Sequence, residues 1–183
     1  MPEHRFVQFD VFTDQPFGGN PLAVFPEAEG ITDDRMMQIA REMNLSETVF
    51  VFKSDKENVL RHLRIYTPVR EIPFAGHPIV GTWTALALGG VVQLPDGGTG
   101  WQRIFHEVGI GVLPVDIEFK DGKPVQVEMT QGTFEIIKDL WPDKGIPSDK
   151  GVATALSMAD VPANFPANRV VDWSLVREAA KIR

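Results

Sequence analysis

A carboxylate at position 47 is the first side chain whose setting suits chemistry. Glu47 lies in residues 44–48 (NLSET), between an amphipathic segment and an apolar one. Such a place can be half-buried, and a half-buried carboxylate makes a useful general acid or base because burial disfavours its charged form. The alternative is a solvated loop carboxylate or a backbone cap, which is the commoner fate of an isolated glutamate.

A second segment, residues 74–78 (FAGHP), opens a strongly apolar stretch. The first turn of a helix presents unpaired N–H groups and the positive end of the helix dipole, which together bind carboxylates. Gly76 permits close approach of a ligand, and His77 can donate a hydrogen bond or shuttle a proton. A tight loop with His77 bonded to the main chain is the alternative. Together, the two segments favour proton transfer on an anionic substrate.

Several other kinds of site are excluded. The chain has no cysteine, which removes thiolate chemistry and Cys-ligated metals. Its four histidines have no metal-ligand spacing, so we expect no metal. Motifs for nucleotides, dinucleotides and serine hydrolases are absent, and a hydrolase built on Glu47 and His77 would lack a nucleophile. Acid/base catalysis without a cofactor remains.

Composition limits the class of protein and its partners. The chain has 183 residues, 43% of them hydrophobic and 23% charged, as in soluble globular proteins. A formal net charge of −7 argues against nucleic acid and anionic lipid as partners. No basic leader precedes an apolar stretch, and no run reaches the ~18 apolar residues of a membrane span. We therefore expect a cytoplasmic protein.

The segment before Glu47 predicts an amphipathic helix. Thr32 is a suitable N-cap, followed by two aspartates that favour a helix start. Asn44 can end the helix in the left-handed conformation. The spacing i, i+3, i+4, i+7 places four apolar residues on one face, namely Met36, Ile39, Ala40 and Met43.

The stretch after His77 predicts a helix over residues 78–88 whose only polar side chains are two threonines. A helix apolar on every side must be enclosed. Most other segments predict strands, so we expect an α+β lobe in which a strongly curved, barrel-like mixed sheet surrounds this central helix. The predicted strands are residues 5–12, 22–25, 48–52, 60–66, 101–106, 111–119 and 124–129, the last two joined by a hairpin at Asp121-Gly122.

This lobe is predicted to occupy residues 1–130. Residues 131–183 are predicted to be a linker and a partial or divergent start of a second lobe. Within them, residues 141–147 have the composition of a connection, and short helices are predicted over residues 152–158 and 175–182.

The order and spacing of six segments make the sequence similar to a known family. These segments are residues 10–13 (DVFT), 19–25 (GNPLAVF), 41–48 (REMNLSET), 66–68 (YTP), 73–78 (PFAGHP) and 109–115 (GIGVLPV). With them the sequence resembles the phenazine-biosynthesis isomerases (PhzF-like proteins), which have the diaminopimelate-epimerase fold.

The resemblance implies two pseudosymmetric lobes with the active site between them and no cofactor. It implies that Glu47 moves the proton, that His77 assists it, and that Asn20, Ser46 and Gly76 bind the substrate. The reaction it implies is isomerisation of a small carboxylic acid like trans-2,3-dihydro-3-hydroxyanthranilate.

The C-terminal third departs from the family pattern. Family members are longer and carry an Asp-Pro-x-x-Gly-Ser-like motif in the second lobe, which residues 131–183 lack. A single lobe would expose its apolar cleft surface, which predicts a homodimer or other self-association. A non-catalytic carboxylate-binding or assembly module of the same fold is the alternative function.

Overall fold

A mixed sheet of eight strands curves around one apolar helix in residues 3–15 and 17–130, the part of the chain that the computed structural model describes. The elements are β1 (Val7–Val11), β2 (Asn20–Phe25), α1 (Asp33–Met43), β3 (Glu47–Phe52), β4 (Arg61–Tyr66), β5 (Glu71–Ile72), α2 (Gly76–Leu88), β6 (Gly100–Val108), β7 (Gly111–Lys120) and β8 (Lys123–Met129). The strands lie in the order β1-β2-β3-β4-β6-β7-β8, with β5 paired to β4. The pairs β2 with β3 and β4 with β6 are parallel, and the other pairs are antiparallel.

The central helix is α2, and its enclosure confirms the predicted architecture. Helix α2 contacts β1, β2 and β3 at one end of the sheet and β8 at the other, so the sheet curls around it. Its residues Ile79 and Trp83 are fully buried. A Cβ on Gly81 would come within 2.6 Å of side-chain atoms of Leu22 and Val11. The helix and the first two strands therefore pack at a distance that a larger residue would not permit.

Helix α1 has the predicted caps and joins two parallel strands. The hydroxyl of Thr32 accepts a hydrogen bond from the Arg35 N–H at 3.4 Å, and Asn44 ends the helix with φ = 50°. Met36 and Ala40 are the buried members of its apolar stripe. Helix α1 carries the chain back to the end of the sheet at which β2 begins. Strand β3 therefore starts beside β2 and runs parallel to it.

Two local features differ from expectation. Helix α2 begins at Gly76, before the predicted start at residue 78, because Gly76 and His77 join its first turn. Strand β5 was not predicted: two residues are too short for a periodic signal, and an ion pair between Arg64 Nη2 and Glu71 Oε2 at 2.6 Å joins it to β4. The hairpin at Asp121-Gly122 is confirmed, with φ of 51° and 76°.

The predictions for residues 131–183, including the connection at 141–147 and the helices at 152–158 and 175–182, lie outside the described residues. The division of the chain at residue 130 thus stays a prediction. Within the described residues, no helix is long and apolar enough to cross a membrane.

One buried histidine should make the fold sensitive to acid. His106, on β6, is fully buried beside the Trp83 ring, and neither of its ring nitrogens has a hydrogen-bond partner within the described residues. Burial lowers the pKa of His106 to about 4, whereas an unfolded chain binds that proton near pH ~6.5. The unfolded state therefore binds more protons between these values, and the free energy of unfolding should fall by about 3 kcal/mol as the pH drops from ~6.5 to ~4.

Urea unfolding followed by circular dichroism across this pH range would measure the loss. His106→Leu keeps an apolar side chain of similar size and removes the titrating group, so its profile should be flatter than that of the unmodified chain. Parallel profiles for the two proteins would contradict the prediction, because carboxylates would then account for the whole acid dependence.

Candidate active site

Glu47 is the first residue of β3 and lies beside β2 and the start of α2. Parallel pairing aligns it with Leu22 of β2, and the left-handed Asn44 turns the chain from α1 into the strand. Its side chain is 17% exposed. Most of the Glu47 side chain is therefore shielded from water, which disfavours the alternative of a solvated loop carboxylate.

His77 lies in the first turn of α2 and points towards the same place. Its side chain is 11% exposed, and the Nε2 atom lies 3.3 Å from Oε2 of Glu47. The alignment is not that of a hydrogen bond, and both atoms are without a hydrogen-bond partner within the described residues. Burying two polar atoms without hydrogen-bond partners costs desolvation free energy. Such unpaired titratable groups are common at sites where a proton is transferred.

The electrostatic surroundings of His77 keep its ring neutral. Burial, the largest effect, lowers the pKa of His77 below its ordinary value; the Glu47 charge and a hydrogen bond to the main chain of Pro21 act against burial without overcoming it. A neutral imidazole has one N–H and one free lone pair, so it can both donate and accept a hydrogen bond.

The start of α2 has no side-chain cap. Ala75 is the N-cap, and its side chain makes no capping hydrogen bond; the first turn has no acidic residue either. The N–H groups of this turn are therefore available to an anion next to His77. Met129, at the end of β8, approaches the same turn: its Cε would be 3.5 Å from a Cβ placed on Gly76.

The remaining predicted site residues lie on the neighbouring segment. Ser46 is exposed, and its hydroxyl donates to the main-chain carbonyl of Pro21 at 3.4 Å. Asn20, also exposed, is the first residue of β2 and precedes that proline. The sequence analysis missed the Pro21 carbonyl and Met129, since only the parallel pairing of β2 with β3 and the curl of the sheet bring them here.

Residues 3–15 and 17–130 hold no group of three or more His, Asp or Glu side chains that could bind a metal ion. Glu47 and His77 alone provide a base, an acid and a hydrogen-bond acceptor. Combined with the helix start, they can hold a carboxylate and move a proton beside it.

Comparison with known proteins places these residues within a matched region. A family model described as "Phenazine biosynthesis-like protein" (PhzC-PhzF) matches residues 9–145. The chain is 44% identical over 128 residues to a protein of Pseudomonas aeruginosa named trans-2,3-dihydro-3-hydroxyanthranilate isomerase, covering 70% of this chain and 42% of that protein. It is 36% identical over 174 residues to an uncharacterized isomerase of Mesorhizobium japonicum, covering 95% and 54%. Similarity thus extends beyond residue 130, whereas the last segment recognised in the sequence ends at residue 115.

Solved structures similar to this chain include a member of the same family and a more distant protein with the same fold. The phenazine biosynthesis protein of the PhzF family from Bacillus anthracis has a TM-score of 0.60 at 29% identity, over 70% of this chain and 40% of that one. A probable proline racemase from Agrobacterium radiobacter has a TM-score of 0.55 at 14% identity, over 68% and 40%, and shows the shared fold. The chain spans less than half the length of either solved protein.

Proposed function

This chain belongs to the phenazine-biosynthesis-like (PhzF) family, and on that basis we propose that it carries the proton-transferring half of an isomerase site for a small carboxylic acid. One observation carries the proposal: the Glu47 carboxylate and the His77 imidazole face each other at 3.3 Å beside the uncapped start of α2. Names of relatives suggest the substrate class, since those from three Pseudomonas species are called trans-2,3-dihydro-3-hydroxyanthranilate isomerases.

The proposed mechanism is redox-neutral proton transfer without a cofactor. The first-turn N–H groups of α2 hold the substrate carboxylate, with Gly76 allowing close approach. Glu47 takes a proton from carbon, and the electron pair of that C–H bond passes into the conjugated π-system of the substrate. A proton then returns to a different carbon, which leaves an isomer and restores Glu47. Ser46 and Asn20 lie on the segments next to Glu47 and are proposed to contact the bound substrate.

The test uses proton NMR of trans-2,3-dihydro-3-hydroxyanthranilate in deuterated buffer with the purified chain. Deuterium incorporation or isomerised product above the no-protein rate supports the proposal. The second candidate function, a non-catalytic carboxylate-binding or assembly module, predicts substrate binding by titration calorimetry with no exchange. The observation that supports this alternative is the start of α2, whose N-cap Ala75 makes no side-chain capping hydrogen bond and can bind a carboxylate without any proton transfer.

We also propose that the chain self-associates, because two exposed aromatic side chains lie in the loop that leads to Asn20. Phe12 is 70% exposed and Phe17 97% exposed, and apolar groups so exposed favour association. Light scattering should give the mass of a dimer at micromolar concentration, and a concentration-independent monomer would contradict this. The cytoplasmic location likewise stays a prediction.

A further inference from the structure

One arginine side chain joins the two segments that lead to the proposed catalytic residues. Helix α1 precedes Glu47 in the chain, and β5 precedes His77. Arg64, on β4, bonds to both elements: its Nη1 donates to Oδ1 of Asp33 on α1 at 2.6 Å, and its Nη2 donates to Oε2 of Glu71 on β5 at 2.6 Å. The positions of α1 and β5 are thus set by the same guanidinium group.

The bond to Glu71 is the stronger of the two. Arg64 meets both oxygens of this carboxylate, since its Nε also donates to Oε1 at 2.8 Å, and paired contacts of this kind are strong and fixed in direction. The Tyr66 hydroxyl donates to the same carboxylate at 3.0 Å. In agreement, the hydrogen bond from Arg64 lowers the pKa of Glu71. Asp33 is exposed, so its bond contributes less.

A second arginine connects the same two parts of the fold. Arg41, in the last turn of α1, donates from Nε to the main-chain carbonyl of Pro68 at 3.3 Å. Pro68 lies in the turn between β4 and β5, which is closed by the Thr67 hydroxyl and main-chain N–H bonding to the Arg70 carbonyl at 3.0 and 2.9 Å. Helix α1 is therefore bonded to the β4–β5 hairpin near both of its ends.

The chain between Glu71 and the start of α2 has little room to absorb a displacement. A Cβ placed on Gly109, in the turn between β6 and β7, would lie 2.6 Å from Cα of Pro73. The next two residues, Phe74 and Ala75, pack against the core around α2. Because close-packed groups transmit strain, a shift of Glu71 should move the first turn of α2 as well.

We propose that Arg64 is a positioning residue of the proposed site: by bonding α1 and β5 at the same time, its guanidinium sets the separation between Glu47 and His77. The inference rests on the proposed function. Arg64 acts from outside the site, because its neighbours Leu63 and Ile65 face the core and side chains alternate along a strand. A lysine would keep the positive charge, but it lacks the planar fork that bonds two carboxylates at once.

Arg64→Lys tests the inference, and Arg103→Lys is its matched control. Arg103 of β6 makes the same paired contact with Asp116 of β7, with both bonds at 2.7 Å. Asp116 follows the core residue Val115 and so points away from α2. We expect Arg64→Lys to lower the turnover rate of substrate exchange by about 10- to 100-fold, the effect of a misplacement of about 1 Å. KM should change little, since the start of α2 itself is intact, and Arg103→Lys should keep both values.

Carbon-13 NMR of the histidine rings gives a readout that needs no activity. The chain has four histidines, and His77→Asn and His106→Leu identify two of them by the loss of their signals. His77 reports on the site, and His106 reports on the core beside Trp83. We expect Arg64→Lys to shift the His77 signals and leave those of His106 in place, whereas Arg103→Lys should shift neither.

Unchanged His77 signals in Arg64→Lys would overturn the inference, and so would an equal shift at His106, which would indicate loosening of the whole fold. Glu71→Gln is the second variant, for the case that Arg64→Lys does not fold: it keeps one accepting oxygen for Arg64 and should shift His77 alone, by less. An unshifted His77 there would also count against the inference. If the unmodified chain shows no substrate exchange, the proposed function fails, while the NMR comparison still decides whether Arg64 positions His77.

Discussion

Replacing Glu47 with Gln is expected to slow solvent-proton exchange of the substrate by about 10²- to 10⁴-fold, the range that a positioned general acid or base contributes. The amide cannot take a proton from carbon, yet it has the shape of a carboxyl group and fits the same half-buried place. The variant should therefore keep the fold. Deuterium incorporation, measured by proton NMR at equal protein concentration, gives the ratio of the exchange rates of the variant and the unmodified chain.

The control is another glutamate close in sequence. Glu42 lies on α1 and is exposed, so Glu42→Gln changes the net charge by the same amount without touching the site. It should exchange substrate protons at the unmodified rate. If Glu47→Gln kept more than about a tenth of the activity, Glu47 would not be the principal base. Unchanged substrate affinity with lost exchange would show that the variant still binds.

The fold was predictable where local patterns carry it. A helix apolar on all sides requires enclosure, and because most other segments predict strands, that requirement predicted a sheet curled around residues 78–88. Thr32 and Asn44 marked the ends of α1 by their capping chemistry. Strand β5 was not predictable, because two residues held by an ion pair from Arg64 leave no periodic signal.

The site was predictable by residue type and not by geometry. Glu47 and His77 were identified from their own segments, but their separation depends on β2 pairing in parallel with β3 and on α2 packing against both strands. Those are contacts between residues distant in sequence. The Pro21 carbonyl illustrates the limit, since a main-chain atom has no sequence signal and its hydrogen bond from Ser46 appears only in the structure.

The packing that positions His77 depends on one large side chain. Trp83 is fully buried on α2, and its ring centroid lies 5.8 Å from that of His106. Trp83→Ala should lower the free energy of unfolding by about 3–5 kcal/mol, through lost apolar burial and the cavity left behind. A typical domain has only about 5–15 kcal/mol in total, so much of the chain could unfold at room temperature. Urea unfolding followed by circular dichroism would measure the change.

Trp101 provides the matched control, because it is the same residue type on the outer face of the sheet. It is 48% exposed, so Trp101→Ala should cost about 1 kcal/mol or less. Trp83→Phe should fall between the two alanine variants, since it keeps a ring and removes an indole N–H that has no partner within the described residues. Equal costs at Trp83 and Trp101 would mean that α2 is not the centre of the core. The packing of Trp83 would then not be what positions His77 in the first turn of α2.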